Sequence, residues 1–249
     1  DLLQKIYERI TDEIIREAME EKDYNIATLI NNLGYVIYDL GNAKKAIEYY
    51  SKALEIHLVV FGEKHPNVAI DYNNLGEAWR NLGDAKKAIE YSSKALEIDL
   101  SVFGDKHPNV ARNYNNLGLA WRALGDAKKA IKYFNKALEI EQAVFSDKHP
   151  NVAIDYNNLG EAWRNLGDVK KAIEYSSKSL ELDLSVFGDK HPNVARDYHN
   201  IGAAWGNLGD TKKAIEYLTK ALEIFKAIYG VNHPSTKTVQ ENLNSLQSN

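Results

Sequence analysis

Three residue types recur in this chain at one fixed spacing, and each type can do chemistry. Histidine precedes proline at His65, His107, His149, His191 and His233, always 42 residues apart. Asparagine recurs at the same spacing in two rows. The inner row is Asn32, Asn74, Asn116, Asn158 and Asn200, continued by Asn242; the outer row is Asn31, Asn73, Asn115 and Asn157, broken by His199. Arginine forms a third row, Arg80, Arg122 and Arg164, with Tyr38 and Gly206 at its ends. A carboxamide carries both a donor and an acceptor, so a column of them suits the C=O and N–H groups of an extended peptide. Such a ladder reads main chain, and guanidinium groups beside it would add charge-assisted recognition of carboxylates. The rows therefore point to an extended, partly acidic peptide ligand.

The plain alternative is that the asparagines bond neighbouring helices and the arginines form solvated ion pairs. The inner row persists in the most divergent copies, and asparagine is a mediocre helix former with no helical reason to recur, which favours ligand contact there. For the outer row the two readings balance. Arg80 and Arg164 have Glu77 and Glu161 three residues before them, at pairing distance on a helix. Arg122 has Leu119 in that place and is the first candidate to meet a ligand, with Arg112 and Arg196 next.

The histidines do not suggest a metal or a catalytic centre. They stand one per copy, packed helices lie roughly 8–10 Å apart, and metal–ligand bonds are about 2 Å long. Placed just before a helical proline, they fix the linker. The sequence has no Ser/His/Asp order, phosphate-cradling glycine loop or Glu–His metal spacing, so the reading is of a protein without enzymatic activity, cofactor or metal. The column Trp79, Trp121, Trp163 and Trp205 reads as packing, not as a platform for bases.

Composition agrees. The 249 residues carry 31 Lys+Arg against 35 Asp+Glu, a net charge of -4, which does not suggest a basic surface tracking a nucleic-acid duplex. No apolar run is long enough to insert in a membrane. Residues 1–23 hold eight acids and four bases, which is the whole acidic excess. Cysteine is absent, which removes disulfides and thiol chemistry. A cytoplasmic setting is the expectation, although a chain opening on Asp1 gives no information on a leader.

The elements that hold these rows are paired helices. In residues 67–108, Tyr72, Leu75, Gly76 and Trp79 recur at i, i+3, i+4 and i+7 behind Pro66, which suits a first helical position. Gly83 can take the left-handed conformation that ends this helix, and Asp84 can cap the next. Ala88, Ala95 and Ile98 mark the packed face of that second helix, and Gly104 stops it. On its outer face Glu48/Lys52, Glu90/Lys94, Glu174/Lys178 and Glu216/Lys220 stand four apart, an order that favours exposed ion pairs. At about 100° per residue, the face of the first helix opposite Tyr72 and Trp79 is centred on Ile70, Glu77 and Asn81, flanked by Asn73, Asn74 and Arg80. Residues 157–192 repeat 73–108 with only Val169, Ser179 and Leu182 changed, the mark of a duplicated two-copy block.

At these positions the unit resembles the tetratricopeptide repeat, whose pattern of aromatic, Leu-Gly, aromatic, then small and large residues is met by Tyr114, Leu117, Gly118, Trp121, Ala130, Phe134 and Ala137. The longer unit and its Gly-Asp-Lys-His-Pro linker are similar to the repeats of kinesin light chains. Two features depart from the common pattern. The proline that ends the second helix is missing, so that helix should run about two turns longer. The aromatic of the second helix is Tyr50, Phe134 and Leu218 in repeats one, three and five but Ser92 and Ser176 in two and four.

The resemblance implies an all-α, right-handed superhelical solenoid of antiparallel helix pairs, in which the asparagine-bearing face lines a concave groove. It divides the chain into an N-terminal helix within 1–23, five repeats over 24–233, and a capping helix in 234–249. The N-terminal helix is expected over 2–18, with Leu3, Ile6, Tyr7, Ile10 and Ile14 on one face and out of register with the repeats. The cap carries Val239, Leu243 and Leu246 as one stripe, while Gln240 and Gln247 replace core aromatics. The implied function is non-catalytic protein or peptide binding. The alternatives are a scaffold that self-associates through its end helices and a sensor region of a larger signalling protein. A variant of the binding reading folds the acidic helix 1–21 onto the groove arginines.

Overall fold

The computed structural model describes residues 12–247, and every regular element among them is a helix. They are α1 (Asp12–Glu20), α2 (Tyr24–Asp39), α3 (Ala43–Phe61), α4 (Pro66–Asn81), α5 (Ala85–Phe103), α6 (Pro108–Ala123), α7 (Ala127–Phe145), α8 (Pro150–Leu166), α9 (Val169–Phe187), α10 (Pro192–Asn207), α11 (Thr211–Tyr229) and α12 (Pro234–Gln247). The chain divides into two compact bodies, Asp1–Gly125 and Asp126–Asn249. Within each body, consecutive helices joined by short turns pack against one another.

The turn chemistry sets these lengths. Proline opens α4, α6, α8, α10 and α12. Gly83 turns the chain at φ 85°, and the Asp84 carboxylate accepts the Lys87 backbone N–H at 3.0 Å to start α5. Each second helix runs 19 residues, because no proline interrupts it before Gly62, Gly104, Gly188 or Gly230. The histidine of each linker caps the following helix: Nδ1 of His65, His107, His149 and His191 accepts the N–H of Asn67, Asn109, Asn151 and Asn193 at 3.1–3.2 Å. Each ring also stacks on the last aromatic of the preceding helix, as His107 does on Phe103 with centroids 4.2 Å apart.

Packing follows the expected stripes. Leu75, Leu159 and Ile201 are almost wholly buried on first helices, and Ala53, Ala95 and Ala221 on second helices. The position that alternates in size is buried in every repeat, as Tyr50, Ser92, Phe134, Ser176 and Leu218. Glycine at 76 is required by the second helix: a Cβ there would lie 2.8 Å from Ser92 Oγ and 3.3 Å from the Ala88 carbonyl. In the cap, Asn244 stands at this position, 42 residues beyond Gly202. Val239 and Leu243 are buried and Leu246 is half-buried, as the stripe required. At the other end, Leu3, Ile6, Tyr7 and Ile10 lie outside the described residues; α1 continues to Glu20 and buries Ile15 and Ala18, with Ile14 half-buried. It packs on both α2 and α3.

Candidate protein-recognition surface

The two asparagine rows bond to each other. Nδ2 of Asn74 on α4 donates to Oδ1 of Asn31 on α2 at 3.0 Å, and Nδ2 of Asn116 on α6 donates to Oδ1 of Asn73 at 3.0 Å. In the C-terminal body Asn200 donates to Asn157 at 2.7 Å and to Glu161 Oε1 at 3.3 Å. Where His199 interrupts the outer row the bond survives, because its Nε2 lies 2.9 Å from Asn242 Nδ2 and can accept in place of a carboxamide oxygen. Burial holds this imidazole below its ordinary pKa, and Arg164 adds to the effect, which keeps that acceptor neutral. The rows are thus a rail between successive first helices, the plain alternative that the sequence left open. Of its members, Asn31, Asn73, Asn157, Asn158 and Asn200 are buried, Asn74, Asn115 and Asn116 are half-buried, and Asn32 is exposed.

The outer row is anchored from below by a layer that pattern reading missed. Asn31 donates to Asp71, whose other oxygen lies 2.6 Å from His57 Nδ1. Asn73 donates to Asn113 Oδ1 at 2.5 Å, and Asn113 donates to Asp99 at 2.7 Å. His57 with Asp71 and Asp99 with Asn113 are one arrangement: a polar residue on a second helix meets another 14 residues later on the next first helix. The same places hold Glu141 with Asp155, Asp183 with Asp197, and finally Phe225 with Val239. Burial raises the pKa of Asp71 and Asp99, while their hydrogen bonds to His57 and Asn113 pull the other way. The sequence did carry a signal: Asp99 lies four residues after Ala95, on the packed stripe, between Ile98 and Leu100.

The arginines divide. Arg80, Arg122 and Arg164 are half-buried along the rail, and Arg112 is exposed on α6. Arg196, at the place equivalent to Arg112, is drawn onto the buried acids, with Nη2 3.7 Å from Asp183 and Nε 4.0 Å from Asp197. Beside Arg80, the Tyr38 hydroxyl accepts from Asn81 at 3.2 Å and donates to Glu77 at 3.4 Å. The N-terminal body therefore presents Asn32, Asn74, Asn116, Arg112 and the exposed Ile70 on its first helices. Beside Asn32 and Ile70 opens a cavity of about 160 Å³ lined by Thr28, Asn31, Asn32, His57, Asn67, Ile70 and Asp71. Among the described residues no group of three His, Cys, Asp or Glu side chains could hold a metal ion, and no helix is long and apolar enough to cross a membrane. The tryptophans pack, with lysines laid over their rings: Lys87 Nζ is 3.6 Å from the Trp79 centroid. On the outer face the pairs Lys94–Glu90, Lys178–Glu174 and Lys220–Glu216 close at 2.7–2.9 Å.

The tetratricopeptide-repeat family model matches residues 25–80, 72–140, 120–164 and 156–227. This chain is a tetratricopeptide-repeat protein. Solved structures agree with the helix-pair solenoid class. BtubC (BKLC) from P. vanneervenii is 25% identical, with a TM-score of 0.71 over 89% of this chain and 92% of its own. A protein of Podosopora anserina described as a kinesin light chain with nearly identical TPR-like repeats is 18% identical, with a TM-score of 0.69 over 83% and 98%. The apo form of RapI is 16% identical, with a TM-score of 0.67 over 89% and 83%. No curated protein matches at the level of sequence. The tetratricopeptide repeats make the chain a protein–protein interaction module.

Proposed function

We propose that this repeat protein is a non-catalytic module that binds an extended, partly acidic peptide on the asparagine-bearing face, and that the N-terminal body reads it. The observation that carries the reading is the exposure of Arg112 beside a half-buried rail. Each rail carboxamide that donates one N–H to its neighbour keeps a second N–H and an acceptor oxygen, so Asn74 and Asn116 can still pair with main chain. Arg80, Arg112 and Arg122 then supply carboxylate recognition, and Ile70 an apolar contact. Asn157, Asn158 and Asn200, being buried, serve the rail. Self-association through the ends is the lesser reading, because Asn244 and Gln247 occupy the glycine and tryptophan places that a following helix would need.

The test is selection from a random peptide display library on the wild type and on Asn116→Ala/Arg122→Glu in parallel. Enrichment of acidic peptides on the wild type and its loss on the variant is the expected result. Equal enrichment on both, or none on either, removes the groove reading and leaves end-to-end assembly, which a concentration-dependent mass would reveal.

A further inference from the structure

Two carboxyl groups face each other at each of two junctions of the C-terminal body, where the N-terminal body sets an acid against a donor. Glu141 on α7 and Asp155 on α8 are 5% and 3% exposed; Asp183 on α9 and Asp197 on α10 are both 0% exposed. Around the first pair, Asn151 Nδ2 donates to Glu141 Oε2 at 3.2 Å and His149 offsets part of the negative charge of Glu141, while Asp155 Oδ2 is buried without a partner. Around the second, Ser179 Oγ from α9 donates to Asp197 Oδ1 at 3.0 Å, and Arg196, His191 and Asn193 on or beside α10 face Asp183. Both oxygens of Asp183 and Oδ2 of Asp197 have no hydrogen-bond partner. On the neighbouring α11, Lys220 and Glu216 are paired with each other at the surface, 2.9 Å apart.

Two buried carboxylates cannot both stay ionised against one half-exposed arginine at ion-contact distance, or against one amide and an imidazole that offsets only part of the charge. A carboxylic acid in the same place would be neutral and would donate a hydrogen bond to its partner's oxygen. We propose that the pairs Glu141–Asp155 and Asp183–Asp197 are proton-binding sites, each holding one proton at neutral pH and releasing it to solvent as the pH rises. Release leaves like charges across the α7/α8 and α9/α10 junctions and weakens both. Burial, with Glu141 adding to it, pushes Asp155 up to about 8, and burial raises Asp183 and Asp197 as well. A pKa raised on folding means that the native state binds the extra proton, so stability is greatest below the unfolded value of about 3.9 and is lost as pH climbs towards about 8. Repeat three shows the neutral solution, with Asn113 in the place of Asp155 and Asp197 donating to Asp99 at 2.7 Å.

The experiment is urea unfolding of the full chain across pH 5–9 for the wild type, Asp155→Asn and Asp197→Asn. Between about pH 5 and 7 the wild type should hold about two protons more when folded from these pairs, and each variant should remove about one from the linkage slope. Slopes identical to the wild type would overturn the proposal. Should a variant fail to fold, the infrared spectrum of the wild type decides: the carbonyl stretch of a neutral carboxylic acid is expected at pH 7 and should vanish well above pH 8. Its absence at pH 7 would equally overturn the assignment.

Discussion

The two bodies share one repeat and differ in where their polar groups are used. In the N-terminal body the junction acids Asp71 and Asp99 each meet a donor, His57 and Asn113, and Arg112 stays exposed. In the C-terminal body acid meets acid, Arg196 is drawn onto Asp183 and Asp197, and Asn157, Asn158 and Asn200 are buried. A duplicated sequence can thus diverge in its polar contacts by single changes at one buried place. Beside Asp99, which takes the Asn113 amide, Arg112 remains exposed; beside the acid pair Asp183 and Asp197, the equivalent Arg196 is drawn inward. The fifth repeat removes the matter altogether with Phe225 and Val239.

This comparison can be broken at its strongest point. His57→Phe leaves Asp71 buried with Asn31 alone, and breaking such a pair costs about 3–5 kcal/mol. Adding Asp71→Val copies the apolar junction of repeat five and should return most of that loss in urea unfolding. A double variant as unstable as the single one would show that the His57–Asp71 pair is not the reason for the cost. A smaller effect sharpens the contrast between bodies at the turn after the second helix. Gly62 and Gly104 occupy it in the N-terminal body and Gly188 and Gly230 in the C-terminal one, all at φ 78°, but Ser146 of the C-terminal body adopts φ 79° and ψ 165°. That region is essentially reserved for glycine, at a cost of about 1–3 kcal/mol for other residues. Ser146→Gly should therefore raise the melting temperature, and an unchanged or lower value would refute the strain.

Most of the frame was legible in the sequence because it is local. Pro66, Gly83 and Asp84 punctuate helices through their own backbone and side-chain chemistry, and Leu75 and Trp79 declare a packed face by spacing alone. The asparagine rows were legible as rows, yet their bonding was not. Asn74 reaches Asn31 and not Asn32, an offset fixed by how one first helix leans on the next. The buried acids were harder still. Asp99 and Asp183 look like ordinary polar residues within amphipathic helices, and only the 42-residue register against His57 and Phe225 shows that one place carries four different side chains over five repeats. The extent of α1 to Glu20, and its burial of Ile15 rather than Ile14, depends on contacts with α2 and α3 that no periodicity encodes.

The most direct test of the division between bodies is a peptide display selection run on Arg112→Gln and Arg196→Gln beside the wild type, with urea unfolding of the same samples. The account predicts that Arg112→Gln loses the acidic peptides and keeps its stability, while Arg196→Gln keeps the peptides and loses stability. Loss of peptides from Arg196→Gln, with Arg112→Gln still enriching them, would contradict it.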